Sequence, residues 1–541
     1  MARHDDERGV LTESRHPPAL AWRWEVALVL FAVLAAALPM VIYPLGRDQS
    51  IQAYAGWQYL DGAVPGLDVW DNRPPGSAYL FALAQILFGH TQSSIRWFDL
   101  LWTTATALGL AALGRRWFGG AAGLAAAALW VWSYATVYDF WNSAQVDGTL
   151  TLPCLGVIAL ADRGARDRRA RWWLAAGVLI AQAFMIKSIV LVIGLPMLTI
   201  LWTTRADRGL RRGVVVPLLW SALGFALGLA PWVIGLALAG GLGPILDAQR
   251  NMNPGYTMLT LSHGIGALLA AAADGVTWFS LMHLPLLALA LIGLWALRSV
   301  RPETAALVVG WLMAAVIGWI AQMKFYHYHT LPVLAPLALL AGLGADRLVR
   351  WVMRSTSSIH RWDSWAVVPL LVAALGVGSL IRWGDQWADL LRVMTPSVTR
   401  EDVWREMPRD LYRSSCVAAN IDMARWLVEN SGPDDTFFVW GFEPLIYFEA
   451  LRPAPTRYIY NIPQVVPWAL PKWREELMGD LRASRPLHIV LCRRDAIPWT
   501  TGRGKDSVAL LRDFPALSEL IDRDYEPVWQ SDLFIVLLRR P

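Results

Sequence analysis

The sequence predicts a polytopic α-helical membrane protein that ends in a small extracytoplasmic α/β domain. Three observations carry that prediction. Apolar runs of about 20 residues recur through the first 385 residues, each long enough to cross a hydrocarbon core of ~30 Å. Charged residues make up only 17% of the 541-residue chain, where roughly 25% is usual for soluble domains, and the mean hydropathy is +0.38. From about Gly384 the hydropathy falls, and helix-like and strand-like stretches alternate as they do in an α/β unit.

Taken in order, the apolar runs read as eleven spans: 24–43, 95–113, 120–138, 148–161, 172–186, 189–204, 214–239, 277–297, 304–322, 330–346 and 364–383. Runs this continuously apolar form helices, because backbone groups in lipid must be satisfied within the segment. The polar N-terminal stretch MARHDDERGVLTESRHPP is not a cleavable signal. With residues 1–23 placed in the cytoplasm, the cytoplasmic segments carry 21 Arg and Lys and the outer loops between spans, 384–541 not counted, carry 5. That bias satisfies the positive-inside rule and places the C-terminus outside, in the periplasm or on the extracytoplasmic face of a one-membrane cell; an inner-membrane protein with a periplasmic domain is expected. The expected organisation is a cytoplasmic segment 1–23, a membrane domain 24–383 with a first outer loop 44–94, and a periplasmic α/β domain 384–541.

Two outer loops are long. The first contains Ser77–Gly89, too short to span comfortably and expected to lie in the interface. The other, 240–276, contains NMNPGYT and an expected amphipathic helix near Leu261–Ala273. In the C-terminal region, helices are expected at 417–430, 444–450, 470–484 and 506–521. Strands are expected at 436–441, 456–460 (TRYIY), 487–492, 525–530 and 533–538. No G-x-G-x-x-G, P-loop or H-E-x-x-H occurs there. Basic residues concentrate in short loops, so the net charge of +5 reflects orientation and not nucleic-acid binding. The three cysteines, Cys154, Cys416 and Cys492, form neither a disulfide framework nor a metal spacing.

Charged groups at a bilayer are costly and mark function. Arg47 and Asp48 lie at the outer end of the first span. Asp139 and Asp147 flank the next outer turn, and Lys187 and Lys324, two of only four lysines, fall at outer span ends. Lys324 opens a cluster with Tyr326, His327, Tyr328 and His329. Topology brings these turns to one face, where a carboxylate, several cations and hydroxyl donors suit a phosphate carried on a lipid. Each residue also has a plainer reading. Asp48 reads as a solvated helix-end carboxylate, Arg47 as a snorkelling side chain, and Asp61 and Asp68 as turn formers. Lys187 reads as a helix C-terminal cap, and the Tyr-His cluster as an interfacial aromatic belt.

Specific motifs then carry a family resemblance. The first loop reads Arg47-Asp48-Gln49, then Asp61-Gly62-Ala63-Val64-Pro65, Asp68, Asp71-Asn72-Arg73-Pro74-Pro75-Gly76 and Leu87-Phe88-Gly89. Further along come Arg115-Arg116-Trp117-Phe118-Gly119, Asp147, Phe184-Met185-Ile186-Lys187, Phe325-Tyr326-His327-Tyr328 with Leu331-Pro332, and Asp435-Thr436 with Pro444 and Tyr447. In this order they resemble the GT-C fold glycosyltransferases that use polyprenyl-phosphate sugars. The similarity is greatest to the bacterial family of protein O-mannosyltransferases and lipid A aminoarabinose and galacturonic acid transferases. One position departs: members carry an acidic residue or His before Lys-Pro, where this chain has Asn72-Arg73-Pro74.

The resemblance implies an inverting glycosyltransferase, hexosyl or pentosyl, moving a sugar from polyprenyl phosphate such as undecaprenyl phosphate to a lipid, glycan or protein acceptor. Asp48 is implied as the general base and Asp147 as a second catalytic carboxylate. Arg73, Lys187, Lys324, His327 and Tyr328 would bind the donor phosphate, and Asp71 and Tyr326 the substrate. A divalent metal is left open, with His327 and His329 as candidate ligands and Asp147 as a carboxylate that could orient it, and loss of the acidic neighbour at Asn72 counts against it. Expected partners are the lipid-linked sugar, its acceptor and membrane lipids, with no nucleic acid. A transporter or flippase for lipid-linked saccharides uses the same cations without a base, but the chain shows no internal repeat of the kind such proteins carry. A non-catalytic envelope assembly factor is the third class, and it would tolerate loss of Asp48.

Overall fold

The computed structural model describes residues 19–355, 376–407 and 417–541. Residues 1–18, most of the expected eleventh span and Cys416 lie outside the described residues. Long helices dominate: α1 (Ala19–Ala37), α2 (Arg47–Leu60), α3 (Gly76–Phe88), α4 (Gln92–Phe118), α5 (Gly120–Val137), the short α6 (Val146–Thr149), α7 (Thr151–Asp167) and α8 (Ala170–Ile186). They continue as α9 (Gly194–Thr204), α10 (Val216–Leu238), α11 (Leu242–Ser262), α12 (Ile265–Met282), α13 (Leu284–Ala296), α14 (Pro302–Ala321), α15 (Leu331–Ser355) and α16 (Val377–Val393). By length and composition, six described stretches suffice to cross a membrane: Trp22–Ile42, Gly120–Val137, Arg211–Leu238, Ile265–Met282, Pro302–Ala321 and His327–Arg354.

The helices pack where side chains are smallest. α8 meets α10 at Gly177 and Gly224, where an added Cβ would lie 2.0 Å from the carbonyl oxygens of Ser221 and Leu174 respectively. α13 meets α15 the same way at Gly293 and Gly344, with 1.9 Å to the oxygens of Leu340 and Leu289. Close backbone approach of this kind is how helices associate where lipid removes the hydrophobic drive.

Two expectations in the membrane region are corrected. The helix expected at Leu261–Ala273 does not exist as such. Gly264, at φ +99°, ends α11 and starts α12, which then runs on to Met282. The span expected at 277–297 is split between the end of α12 and α13, with the break at His283 and Pro285 at the start of the next helix.

The C-terminal region contains a four-stranded sheet, β1 (Phe437–Trp440), β2 (His488–Cys492), β3 (Tyr525–Gln530) and β4 (Phe534–Arg539), in the order β1-β2-β4-β3. β1 and β2 are parallel and the other pairs antiparallel. TRYIY at 456–460 is not a strand. Its side chains are fixed instead by neighbouring elements: Thr456 donates to Asp480 at 2.7 Å, Tyr458 donates to Glu476 at 2.5 Å. The Arg457 carbonyl accepts from Trp70 N at 2.9 Å. The helix expected at 506–521 is two pieces, Ser507–Leu511 and Pro515–Asp524, because Pro515 cannot continue a helix and opens a new one.

This region does not carry a core of its own alone. Its buried cluster includes Ile51, Tyr54, Trp70 and Ala78 from the first loop and Ala248 and Met252 from α11. α16 joins the bundle instead: Trp383 and Trp387 donate to the Ala35 carbonyl, and Gln386 to that of Ala135.

Adding a methyl at Gly293 should force α13 and α15 apart at a cost of about 1–3 kcal/mol. We expect Gly293→Ala to lower the thermal midpoint of the detergent-purified protein by on the order of a few degrees. Gly235→Ala, at a position with nothing within 4 Å, should leave the midpoint unchanged or raise it. Equal midpoints for the two variants would contradict the packing argument.

Candidate active site

One cavity of about 780 Å³ lies where the first loop, the turn before α6, the α8–α9 junction, α11, α12, the α14–α15 junction and the C-terminal domain meet. Of the residues singled out from sequence, Asp48, Arg73, Asp147, Lys187, Lys324, Tyr326, His327 and Tyr328 all line it. Asp71 does not, because it sits behind Arg73. Asp139 is off the wall too and caps its own turn through the Trp141 and Asn142 amides. Asp68 likewise closes a turn, accepting from Val64 N at 2.7 Å.

Asp48 stands in the first turn of α2, whose N-cap is Gly46. Its carboxylate is one-third accessible, and Arg73 Nη1 reaches Oδ1 at 3.3 Å. Oδ2 has no protein partner among the described residues. Arg73 follows a turn that Pro74-Pro75 ends, and its fork is shared. Nε meets Asp71 Oδ1 at 3.0 Å and Oδ2 at 3.2 Å. Asp71 is itself held by Gln52, which donates to Oδ2 at 2.7 Å. Burial opposes the charge on Arg73, but Asp71, Asp48 and Tyr460 together hold the guanidinium charged above its ordinary range.

Asp147, 1% exposed, accepts from Lys187 Nζ at 2.6 Å. Lys187 also donates to Gln322 at 2.7 Å. Lys187 is the C-cap residue of α8, and its ammonium joins this half-buried pair. Asp147 Oδ1 and His329 Nδ1 are buried on the wall without partners among the described residues. His327 is stacked on Trp278 with the ring centroids 3.8 Å apart.

Lys324 differs from the other lining cations. Its ammonium donates to the Trp499 carbonyl at 3.1 Å and sits 4.2 Å from the ring centre of Tyr256. No carboxylate pairs with it among the described residues. Burial pulls its pKa down to about 8. Tyr326 donates to the same carbonyl at 3.3 Å.

Arg47 is not a snorkelling side chain. It is 8% exposed, and its Nε and Nη2 donate to Glu443 Oε1 at 3.0 and 2.5 Å. Behind the wall, Arg96 is buried at the start of α4. It donates to the carbonyls of Pro44 and Phe140 and to Ser143 Oγ, tying the first loop to the turn at 139–145.

Sequence reasoning passed over Asn253, Tyr256, Gln322, Glu443, Tyr460 and Trp499. Asn253 and Tyr256 lie in the NMNPGYT stretch, where polar residues in an otherwise apolar region were the available signal. Asn72, the departure in the first-loop motif, pairs with Asn253 reciprocally: Nδ2 donates to Asn253 Oδ1 at 2.7 Å, and Asn253 Nδ2 to the Asn72 carbonyl at 3.1 Å.

The described lining side chains form no three-ligand metal centre of their own. Among the described residues no three His, Cys, Asp or Glu side chains converge. Asp48 and Asp71 share the Arg73 guanidinium, and Asp147 holds the Lys187 ammonium, so a dication there would meet fixed positive charge.

Removing Lys187 should leave Asp147 buried and unpaired, at a cost of about 3–5 kcal/mol. We expect Lys187→Met to lower the thermal midpoint clearly and the double variant Asp147→Leu/Lys187→Met to regain most of the loss. A single variant as stable as the wild type would refute the pairing.

Residues 72–234 match the family model for dolichyl-phosphate-mannose-protein mannosyltransferase. No curated protein sequence matches the chain. Among solved structures, ArnT from Cupriavidus metallidurans bound to undecaprenyl phosphate superposes with a TM-score of 0.58 at 16% identity, covering 95% of this chain and 98% of that one. AglB, the archaeal oligosaccharyltransferase of Archaeoglobus fulgidus, in complex with an inhibitory peptide and a dolichol-phosphate, gives 0.51 at 12% identity, covering 94% and 74%. The Archaeoglobus fulgidus oligosaccharyltransferase in complex with Zn and sulfate gives 0.50 at 13%, covering 92% and 71%. At these identities the likeness is one of fold: the chain has the GT-C fold of these glycosyltransferases, and its residues 72–234 carry the sequence pattern of the mannosyltransferase family model.

Proposed function

We propose that the protein is an inverting, membrane-embedded glycosyltransferase that moves a sugar from a polyprenyl-phosphate donor to a hydroxyl of a cell-envelope lipid, glycan or protein. The observation that carries this reading is the meeting, in one cavity, of a carboxylate with an open oxygen, Asp48, and a buried ammonium, Lys324, that no carboxylate among the described residues neutralises. The fold is that of ArnT, which was solved with undecaprenyl phosphate bound, and this supports a lipid phosphate as the occupant.

In this reading the acceptor oxygen attacks the anomeric carbon and gives its proton to Asp48. The bond from the anomeric carbon to the phosphate oxygen breaks, and its electron pair leaves with the polyprenyl phosphate. One displacement inverts the anomeric centre. Lys324 binds the departing phosphate, with His327, Tyr328 and Tyr326 beside it. Arg73 and Lys187, each already paired, add positive field and orient their carboxylates. Asp147, buried in the wall and held by Lys187, orients the acceptor end of the cavity, and Asp71 acts through Arg73. The positive-inside bias supports a reaction at the outer face of the inner membrane, with the C-terminal domain, which forms part of the cavity wall, on the periplasmic side.

A general base contributes about 10²- to 10⁴-fold. We expect Asp48→Asn to lose transfer of radiolabelled sugar from polyprenyl phosphate by that factor while remaining monodisperse. Near-normal transfer would remove Asp48 from the chemistry, and movement of donor without transfer would favour a flippase.

Because burial brings Lys324 to about 8, its ammonium is lost as the pH rises through that value, and phosphate binding should weaken with it. We expect kcat/KM for the donor to fall above about pH 8, approaching tenfold per unit, and to stay flat to higher pH in Lys324→Arg. A flat wild-type profile would argue against Lys324 as the phosphate anchor.

A further inference from the structure

Asp48 works only if the first turn of α2 is fixed, and that turn has little of its own to fix it. The first N–H groups of a helix have no partners within it, and Gly46 at the N-cap supplies no side chain to satisfy them. The residues on either side of Asp48 are instead fastened to separate parts of the molecule. Gln49 Nε2 donates to the carbonyls of Phe140, Trp141 and Ser143 at 3.0, 3.0 and 2.8 Å. Arg47 reaches the other way, to Glu443 of the C-terminal domain, at 3.0 and 2.5 Å.

Glu443 lies just after β1, its side chain 4% exposed, and is itself anchored. Its Oε2 accepts from Asn420 Nδ2 at 2.5 Å. The Arg47 guanidinium also lies 5.5 Å from the ring centre of Phe442, which lines the cavity. The pair therefore runs from the domain's sheet to the residue adjacent to the reacting carboxylate. It crosses an interface whose apolar part is already continuous with the first loop.

We propose that Glu443 is a positioning residue: through Arg47, the C-terminal domain sets where Asp48 points, so the domain takes part in transfer and does not merely cover the cavity. This rests on the glycosyltransferase reading above. A buried pair of this kind constrains geometry strongly, because releasing one partner strands the other charge in an apolar setting.

The test uses the full-length protein in nanodiscs, the polyprenyl-phosphate monosaccharide that the wild type transfers, and undecaprenyl phosphate as a binding probe. We expect Glu443→Gln to lower kcat by tenfold or more, while donor KM and the affinity for undecaprenyl phosphate stay within twofold. Glu443→Asp, which keeps the charge on a shorter arm, should recover part of the loss. If Glu443→Gln does not fold, Glu443→Asp is compared with wild type in the same way. A kcat within twofold of wild type would overturn the proposal. So would a joint loss of kcat and probe affinity with a lowered thermal midpoint, which would mark a role in stability alone. Absence of transfer by the wild type with any donor would instead refute the glycosyltransferase reading.

Discussion

The guanidinium of Arg73, held between Asp71 at 3.0 Å and Asp48 at 3.3 Å, is the contact on which the polar end of this bundle depends. It lets two carboxylates and a cation persist at the edge of an apolar bundle, where an unpaired charge is expensive. It also leaves one oxygen of Asp48 open. The same logic recurs around the cavity: Lys187 serves Asp147, and Arg47 serves Glu443. Apart from Asp71, two residues before Arg73, the partners come from separate stretches of chain, so satisfying the charges also assembles the site. Lys324 stands outside the pattern, with no carboxylate partner among the described residues, and the proposed donor phosphate is assigned to it on that ground.

The pairing explains why the C-terminal region is fused so tightly to the membrane region. Its buried cluster takes in Tyr54 and Trp70 from the first loop and Met252 from α11, and Tyr54 Oη accepts from Ala454 N at 2.8 Å. The loop that carries Asp48 is therefore packed from both sides. Arg96 and Gln49 tie it to the turn before α6, while Arg47, Tyr54 and Trp70 tie it to the domain. A site built from loops gains the rigidity of the elements that flank them.

Much of this was legible in the residues. Long apolar runs marked the helices, because lipid leaves the backbone no alternative. Rarity marked the site: charges in outer turns of a chain with only four lysines stood out, and eight of the nine residues assigned to chemistry line one cavity. What stayed hidden depended on contacts between distant segments. Nothing local distinguishes Glu443 from a surface glutamate or shows that Arg47 is buried against it. TRYIY has the composition of a strand, yet its hydrogen bonds go to the first loop and to Asp480 and Glu476. Gly264 was in view inside 240–276, but only the backbone shows that it separates two long helices. Asn72 looked like the loss of an acid, whereas its amide joins the first loop to α11.

In the proposed function this cavity receives the phosphate of a polyprenyl donor next to Asp48. An experimental structure of the protein with undecaprenyl phosphate tests it most directly. Phosphate density is expected inside the cavity, within hydrogen-bond reach of Lys324 Nζ and facing Asp48. Density for the phosphate outside this cavity, with Lys324 still bonded only to the Trp499 carbonyl, would contradict it.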